Sequence, residues 1–356
     1  MSSSFIEIDT KSSKPKSGRK LKTMLLFPPE WVPTAPYLAL PSLTAVLREN
    51  GHEVTQRDIN IEMYELFFSD MFLIWVNARM TQQLRELKAA ETSRELTEKE
   101  VNQKACLEEV LSLDVMELAA NAEEAKRINR SEDFYDASKL EWALNIFRDV
   151  MRYISAAYYP ASLVYYPMES NLGYRPGVSS EVYACLNDPQ VNVYRDVCQQ
   201  LVLPLVAKER PEVVGISIGT QMQLIAGLTF GKMIKEAYPD VHITVGGNVI
   251  TRLQEDLAKQ EPFFTEIFDS AIMYEGEHAL LWLLEALVGD REWTSVPNLM
   301  YREQGHVRIN SEIYTEKTTS LPLPDFEGFP LDSYFVPTRI LPYLATRGCY
   351  WGKCTF

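Results

Sequence analysis

The sequence predicts an α/β protein built on a doubly wound, parallel five-stranded sheet that carries a large helical insertion. Three observations predict it. Short apolar runs that stop at Gly or Pro alternate with helical stretches at both ends of residues 21–295. Between them, residues 61–210 abandon that alternation for Glu, Lys, Leu and Ala. Beyond 295 a proline-marked linker leads to two closely spaced cysteines, Cys349 and Cys354.

The elements follow in order. Residues 1–20 are rich in Ser and Lys, lack an apolar stretch and read as a disordered tail without a targeting signal. The run 21–27 is a strand that stops at Pro28-Pro29. Leu40, Leu43, Val46 and Leu47 have helical spacing and end at Asn50-Gly51, a helix stop. Residues 52–58 alternate toward a second strand, so strand, helix and strand form a βαβ unit with parallel pairing. The insertion reads as several helices and then a Tyr/Pro-rich loop over 158–174. After Pro211 come strands at 213–218, 241–245 and 270–274, followed by helices at 221–238, 253–260 and 278–288. Residues 296–310 read as a hairpin around Gly305, 321–330 as an extended linker set by its prolines, and 341–345 as a last strand.

Composition narrows the function. The 356 residues are 46% apolar and 24% charged, as in a large globular chain. A net charge of −14 argues against nucleic acid and anionic membranes as partners. The longest uncharged stretch, 213–231, contains Ser217, Thr220, Gln221 and Gln223 and reads as strand, loop and helix rather than a membrane span. Five cysteines are too few for a disulfide scaffold; free thiols imply a reducing, cytoplasmic setting. Cys106, Cys185 and Cys198 read as small buried hydrophobes in helices, and only Cys349 and Cys354 are spaced like metal ligands.

In an open α/β sheet, ligands bind beyond the carboxyl ends of the strands. Those ends supply the candidate binding residues: Pro28 and Pro29; Ser217, Ile218, Gly219, Thr220 and Gln221; Gly246, Gly247, Asn248 and Thr251; Tyr274, Glu275 and Gly276. Glycines at three successive strand ends admit a large flat ligand. Ser217, Asn248 and Thr251 are its polar contacts, with turn chemistry as the plainer reading. Glu275 binds the ligand or caps a helix, and Glu277 is expected to cap the helix that follows it. No Gly-x-Gly-x-x-Gly follows the first strand, which argues against NAD and FAD.

Several of these pieces occur together in one known family. Phe27-Pro-Pro29, Gly51-His-Glu-Val54, Asp58, Val214-Gly-Ile-Ser-Ile218, Val245-Gly-Gly247, Glu275-Gly-Glu277 and Arg347-Gly-Cys349 stand in the order seen in cobalamin-dependent radical S-adenosylmethionine (SAM) proteins. The chain resembles that family over most of its length, except the tail and the insertion. The resemblance implies a Rossmann-like cobalamin domain at 21–295, a hairpin and linker at 296–340, and the first strand and cluster loop of a radical SAM (β/α) barrel at 341–356. It implies a 4Fe-4S cluster on Cys349, Cys354 and a third cysteine beyond Phe356, with SAM on the open iron and Phe356 beside its adenine. The cysteines stand one residue farther apart than is usual in the family, which leaves a zinc or structural role open.

None of the four histidines (His52, His242, His278, His306) lies in an Asp-x-His-x-x-Gly run, so the resemblance implies a cobalamin without a protein histidine on cobalt. The implied activity is methyl transfer to an unactivated carbon through a 5′-deoxyadenosyl radical and methylcobalamin. The implied partners are a small-molecule or peptide substrate and an electron donor such as flavodoxin or ferredoxin. A non-methylating radical SAM enzyme and a stand-alone cobalamin-binding or sensing module are the alternatives.

Overall fold

The computed structural model of the 356-residue chain describes residues 18–165, 170–348 and 351. Its first βαβ unit is β1 (Thr23–Phe27), α1 (Ala39–Glu49) and β2 (Val54–Asp58). The insertion carries α2 (Ile59–Phe67), α3 (Asp70–Ser93), α4 (Glu98–Val110), α5 (Val115–Asn129), α6 (Ala137–Ala157), α7 (Ser179–Leu186), α8 (Tyr194–Val197), a π-helical turn and α9 (Leu203–Glu209). Then follow β3 (Val213–Ser217), α10 (Gln223–Ala237), β4 (His242–Gly246), α11 (Asn248–Arg252), α12 (Gln254–Leu257), α13 (Phe263–Glu266), β5 (Ser270–Ile272) and α14 (Glu277–Leu287). The hairpin is β6 (Leu299–Glu303) and β7 (His306–Ile309).

The strands form one sheet in the order β2-β1-β3-β4-β5-β6-β7, parallel through β5 and antiparallel beyond it. The five expected parallel strands are present, but the sheet has seven strands. The hairpin at 296–310 joins it because β5 offers an open edge, and Ile272 pairs with Leu299. Helices cover both faces. α1 and α14 pack on the face that carries Leu25, Phe27 and Val213. α10 and the insertion pack on the face that carries Met24, Leu26, Val214 and Ile216. The chain therefore changes sides between β1 and β3, which makes that point the topological switch.

The insertion helices begin where their caps sit. Asp58, Ser69, Asp114 and Asp136 each accept a backbone N–H in the first turn of α2, α3, α5 and α6, and Thr97 with Glu100 forms a capping box for α4. Three expectations need correcting. The helix read at 253–260 starts five residues earlier, at Asn248, and is broken into α11 and α12. The linker 321–330 is no free spacer: Gln56 Nε2 donates to the carbonyls of Asp325 (2.7 Å) and Glu327 (2.9 Å), and Arg48 pairs with Asp325 at 2.8 Å. Residues 341–345 form no strand, because no neighbouring strand pairs with them and Leu341, Tyr343 and Leu344 stay exposed. Among the described helices none is long and apolar enough to cross a membrane.

Candidate functional site

A cleft of about 670 Å³ lies between the sheet and the α1/α14 layer and opens at the carboxyl ends of the strands. Its floor is sheet: Leu25, Gly215, Thr244 and Ile272. Its walls are Leu40 and Leu43 of α1 and Leu280 of α14. The mouth is formed by Ser217, Gly246, Gly247, Asn248, Thr251, Tyr274, Glu275 and Gly276, all expected from the strand ends. An apolar slot with polar groups gathered at one end suits an elongated ligand with a polar head.

Gly215 is part of what keeps the floor open. A Cβ there would lie 2.8 Å from Leu25 Cδ2, so a side chain would displace Leu25. Beside it, Thr244 Oγ1 is buried with no hydrogen-bond partner among the described residues. At the mouth, Tyr274 holds a left-handed backbone (φ 57°), uncommon for a tyrosine, and its N–H donates to Thr251 Oγ1 at 2.7 Å. Thr251 Oγ1 in turn donates to the Gly247 carbonyl at 3.3 Å, so that hydroxyl ties the start of α11 to the residues after β5.

Six expected residues lie outside this cleft. Gln223, buried at the start of α10, explains most of them. Its Oε1 accepts the N–H groups of Gly219 (2.8 Å) and Thr220 (3.2 Å), and its Nε2 donates to the Pro28 carbonyl at 2.6 Å. That side chain locks the ends of β1 and β3 together and carries Pro28 and Pro29 away from the mouth. Ile218 is fully buried against Gly227. Gln221 borders a second hollow of about 320 Å³ with Tyr174, Cys185 and Tyr194. Behind Tyr194 sits the buried Glu30, whose Oε1 accepts the Tyr194 hydroxyl at 2.6 Å; burial pushes its carboxyl up. Cys349, Cys354 and Phe356 lie outside the described residues. No histidine lines the cleft. Cys185 and Cys198 are buried in helical segments as expected, and burial pushes the Cys185 thiol up to about 12.

Glu277 has partners beyond its expected capping role. It is the first residue of α14, but its carboxylate accepts Ser42 Oγ of α1 at 2.8 Å and pairs with Arg347. Burial pushes this carboxyl up; Arg347 and Ser42 outweigh that and hold it below its usual value. Arg347 also lies 3.4 Å from Glu275 Oε2 and, with Leu344, completes the lining of the cleft. Neighbouring His278 donates its backbone N–H to Glu316 (2.9 Å) and pairs with it through Nδ1 (2.7 Å), which raises its pKa. The Arg347 contact has no sequence signal: its partners stand some seventy positions away, in a turn that reads as a capping site.

No family model matches the chain. An uncharacterized methyltransferase of Pyrococcus horikoshii is 27% identical over 159 residues, which cover 44% of this chain and 33% of the relative. A structure of the radical S-adenosylmethionine methyltransferase TsrM from Kitasatospora setae, with cobalamin and a 4Fe-4S cluster bound, aligns with a TM-score of 0.37 at 11% identity. That alignment covers 85% of this chain and 31% of TsrM. A second TsrM structure, with tryptophan substrate and a SAM analogue, aligns with a TM-score of 0.34 at 12% identity, covering 82% and 30%. The chain thus spans about a third of each of these proteins.

Proposed function

We propose that this chain is the corrinoid-binding part of a cobalamin-dependent radical SAM methyltransferase. The observation that carries the reading is the apolar cleft at the carboxyl edge of a sheet ordered 2-1-3-4-5, with the segment leading to Cys349 on its rim. The methyltransferase relative and the order of sequence motifs support the same reading.

The residues fit such a group. A corrinoid has a broad ring and a long tail, and the slot over Gly215 is apolar and open where a side chain would close it. Leu25, Leu43, Ile272 and Leu280 would hold the buried part, and Ser217, Gly246, Gly247 and Asn248 would meet the polar part at the mouth. Thr244 Oγ1, unpaired among the described residues, is a hydrogen-bonding group the tail could use. When bound, the corrinoid supplies a transferable methyl group; the chain's own residues bind it, orient it and keep water from its buried side. Cys349 and Cys354 are proposed as ligands of an iron–sulfur cluster, which would hold SAM.

The test is direct binding. Aquocobalamin added to the 356-residue chain should co-elute with it on gel filtration and change its visible spectrum. Leu43→Trp, which places bulk in the slot from a half-buried helix position, should weaken binding about tenfold, equivalent to about 1.4 kcal/mol. Failure of the unaltered chain to retain aquocobalamin would reject the proposal.

A further inference from the structure

Arg347 stands two residues before Cys349, in a segment whose apolar side chains are exposed. Leu341, Tyr343 and Leu344 are exposed, and no strand forms around them. Arg347 is different: its side chain is 19% exposed, and that of its partner Glu277 is 6% exposed. Nη1 contacts Glu277 Oε2 at 3.1 Å, Nη2 contacts Oε1, and Nη1 lies 3.4 Å from Glu275 Oε2. Ser42 of α1 also donates to Glu277 Oε1, the oxygen that Arg347 Nη2 contacts. One guanidinium is therefore held by two carboxylates on the β5–α14 turn, and a two-point Arg–carboxylate contact fixes direction as well as distance. The same Arg347 side chain lines the cleft.

From this geometry we infer that Glu277 and Arg347 form a latch that seats residues 341–348 on the mouth of the cleft, so that the ligand in the cleft and the position of that segment stabilise each other. The inference rests on the corrinoid reading for the identity of the ligand, but the latch itself does not. Both residues are positioning residues: each acts through the segment it holds. Replacing Arg347 leaves a largely desolvated carboxylate without its cation, and replacing Glu277 removes the two-point contact that holds the segment. Coupling of this kind is reciprocal. The factor by which the ligand protects the segment equals the factor by which the latch tightens the ligand.

The test is cleavage by chymotrypsin at Tyr343, the most exposed of these residues, followed by mass spectrometry of the intact 356-residue chain with and without aquocobalamin. Without ligand, Glu277→Gln and Arg347→Met should each speed cleavage about tenfold, and the double variant should be no faster than Arg347→Met, which also removes the contact with Glu275, the signature of a shared interaction. Arg339→Ala, which removes the solvent-exposed pair with Asp332 in the same segment, should change the rate less than about twofold. Circular dichroism and the thermal midpoint separate release of the segment from loss of fold. Saturating aquocobalamin should slow cleavage of the unaltered chain, and Glu277→Gln should weaken aquocobalamin by up to, and no more than, that factor. Additive single variants, or rates like those of Arg339→Ala, overturn the latch. Bound aquocobalamin that leaves cleavage unchanged overturns the coupling. If the unaltered chain binds no aquocobalamin, the corrinoid reading and the coupling fall together, and the ligand-free rates still decide the latch.

Discussion

Gly247 and Gly276 both sit at the mouth of the cleft, yet they do different work. Gly247 has φ +109°, and a Cβ there would lie 2.4 Å from the Ile218 carbonyl oxygen. The close approach is backbone to backbone, between the ends of β4 and β3, and neither side can yield. Gly247→Ala should therefore cost about 2–4 kcal/mol, combining left-handed strain with the clash. Gly276 has ordinary φ (−107°), and its Cβ would meet only side-chain ends, Leu43 Cδ2 at 3.4 Å and Ile272 Cγ2 at 3.8 Å. Gly276→Ala should cost less than about 1 kcal/mol. Urea midpoints of the two variants check the contrast, and equal shifts would refute it. In the sequence the glycines look alike, since each follows an apolar run at a strand end. What separates them is which backbone comes near, and that depends on pairings between strands far apart in the chain. The same limit hid Gln223: one of two glutamines in a short turn, it gives no sign that it bridges β1 and β3.

At the scale of elements, the linker is the part least legible in the sequence. Its prolines made it read as a spacer, whereas β2 and α1 hold it with polar side chains more than two hundred positions away. Asp58, the last residue of β2 and the cap of α2, is central to this attachment. It accepts the Ile61 N–H at 3.2 Å and the Tyr334 hydroxyl at 2.6 Å. Burial raises its pKa to about 7, against the lowering effect of those hydrogen bonds. The folded state then keeps a proton that the unfolded chain releases near 3.8, so stability from this group is greatest below that value and declines as pH rises toward about 7. Asp58→Asn keeps a capping side chain and removes the ionisation. Between pH 4.5 and 7.5 the variant should gain about 2–3 kcal/mol relative to the unaltered chain. Denaturation curves at the two pH values measure this, and a constant difference would show that Asp58 ionises normally. The strands, by contrast, were legible because a buried parallel strand needs an unbroken apolar run and a stop, which sequence shows locally.

At the scale of the whole molecule, the insertion is not an appendage on a finished sheet. Its apolar faces merge with the sheet face of Met24, Leu26 and Val214 into one core, and the linker enters that core. Phe335 is 1% exposed, with ring centroids 5.1 Å from Phe147 of α6 and 5.9 Å from Phe68, and the Arg130 guanidinium lies 4.8 Å over its ring. Arg130 also donates to the Ser333 carbonyl and pairs with Glu65, so α2, the end of α5, α6 and the linker meet at one aromatic side chain. The insertion thereby sets where the linker leaves the sheet, and so where the Arg347 segment can reach Glu277. Phe335→Ala should cost about 3–5 kcal/mol, as expected for emptying a filled aromatic site. Its more telling effect is spatial. Hydrogen exchange should rise together in α6 and in residues 331–348, because one ring holds both. Faster exchange confined to the residues beside position 335 would mean that the linker is fastened by Asp58, Arg48 and Gln56 alone, and that the insertion has no part in placing the cysteine segment.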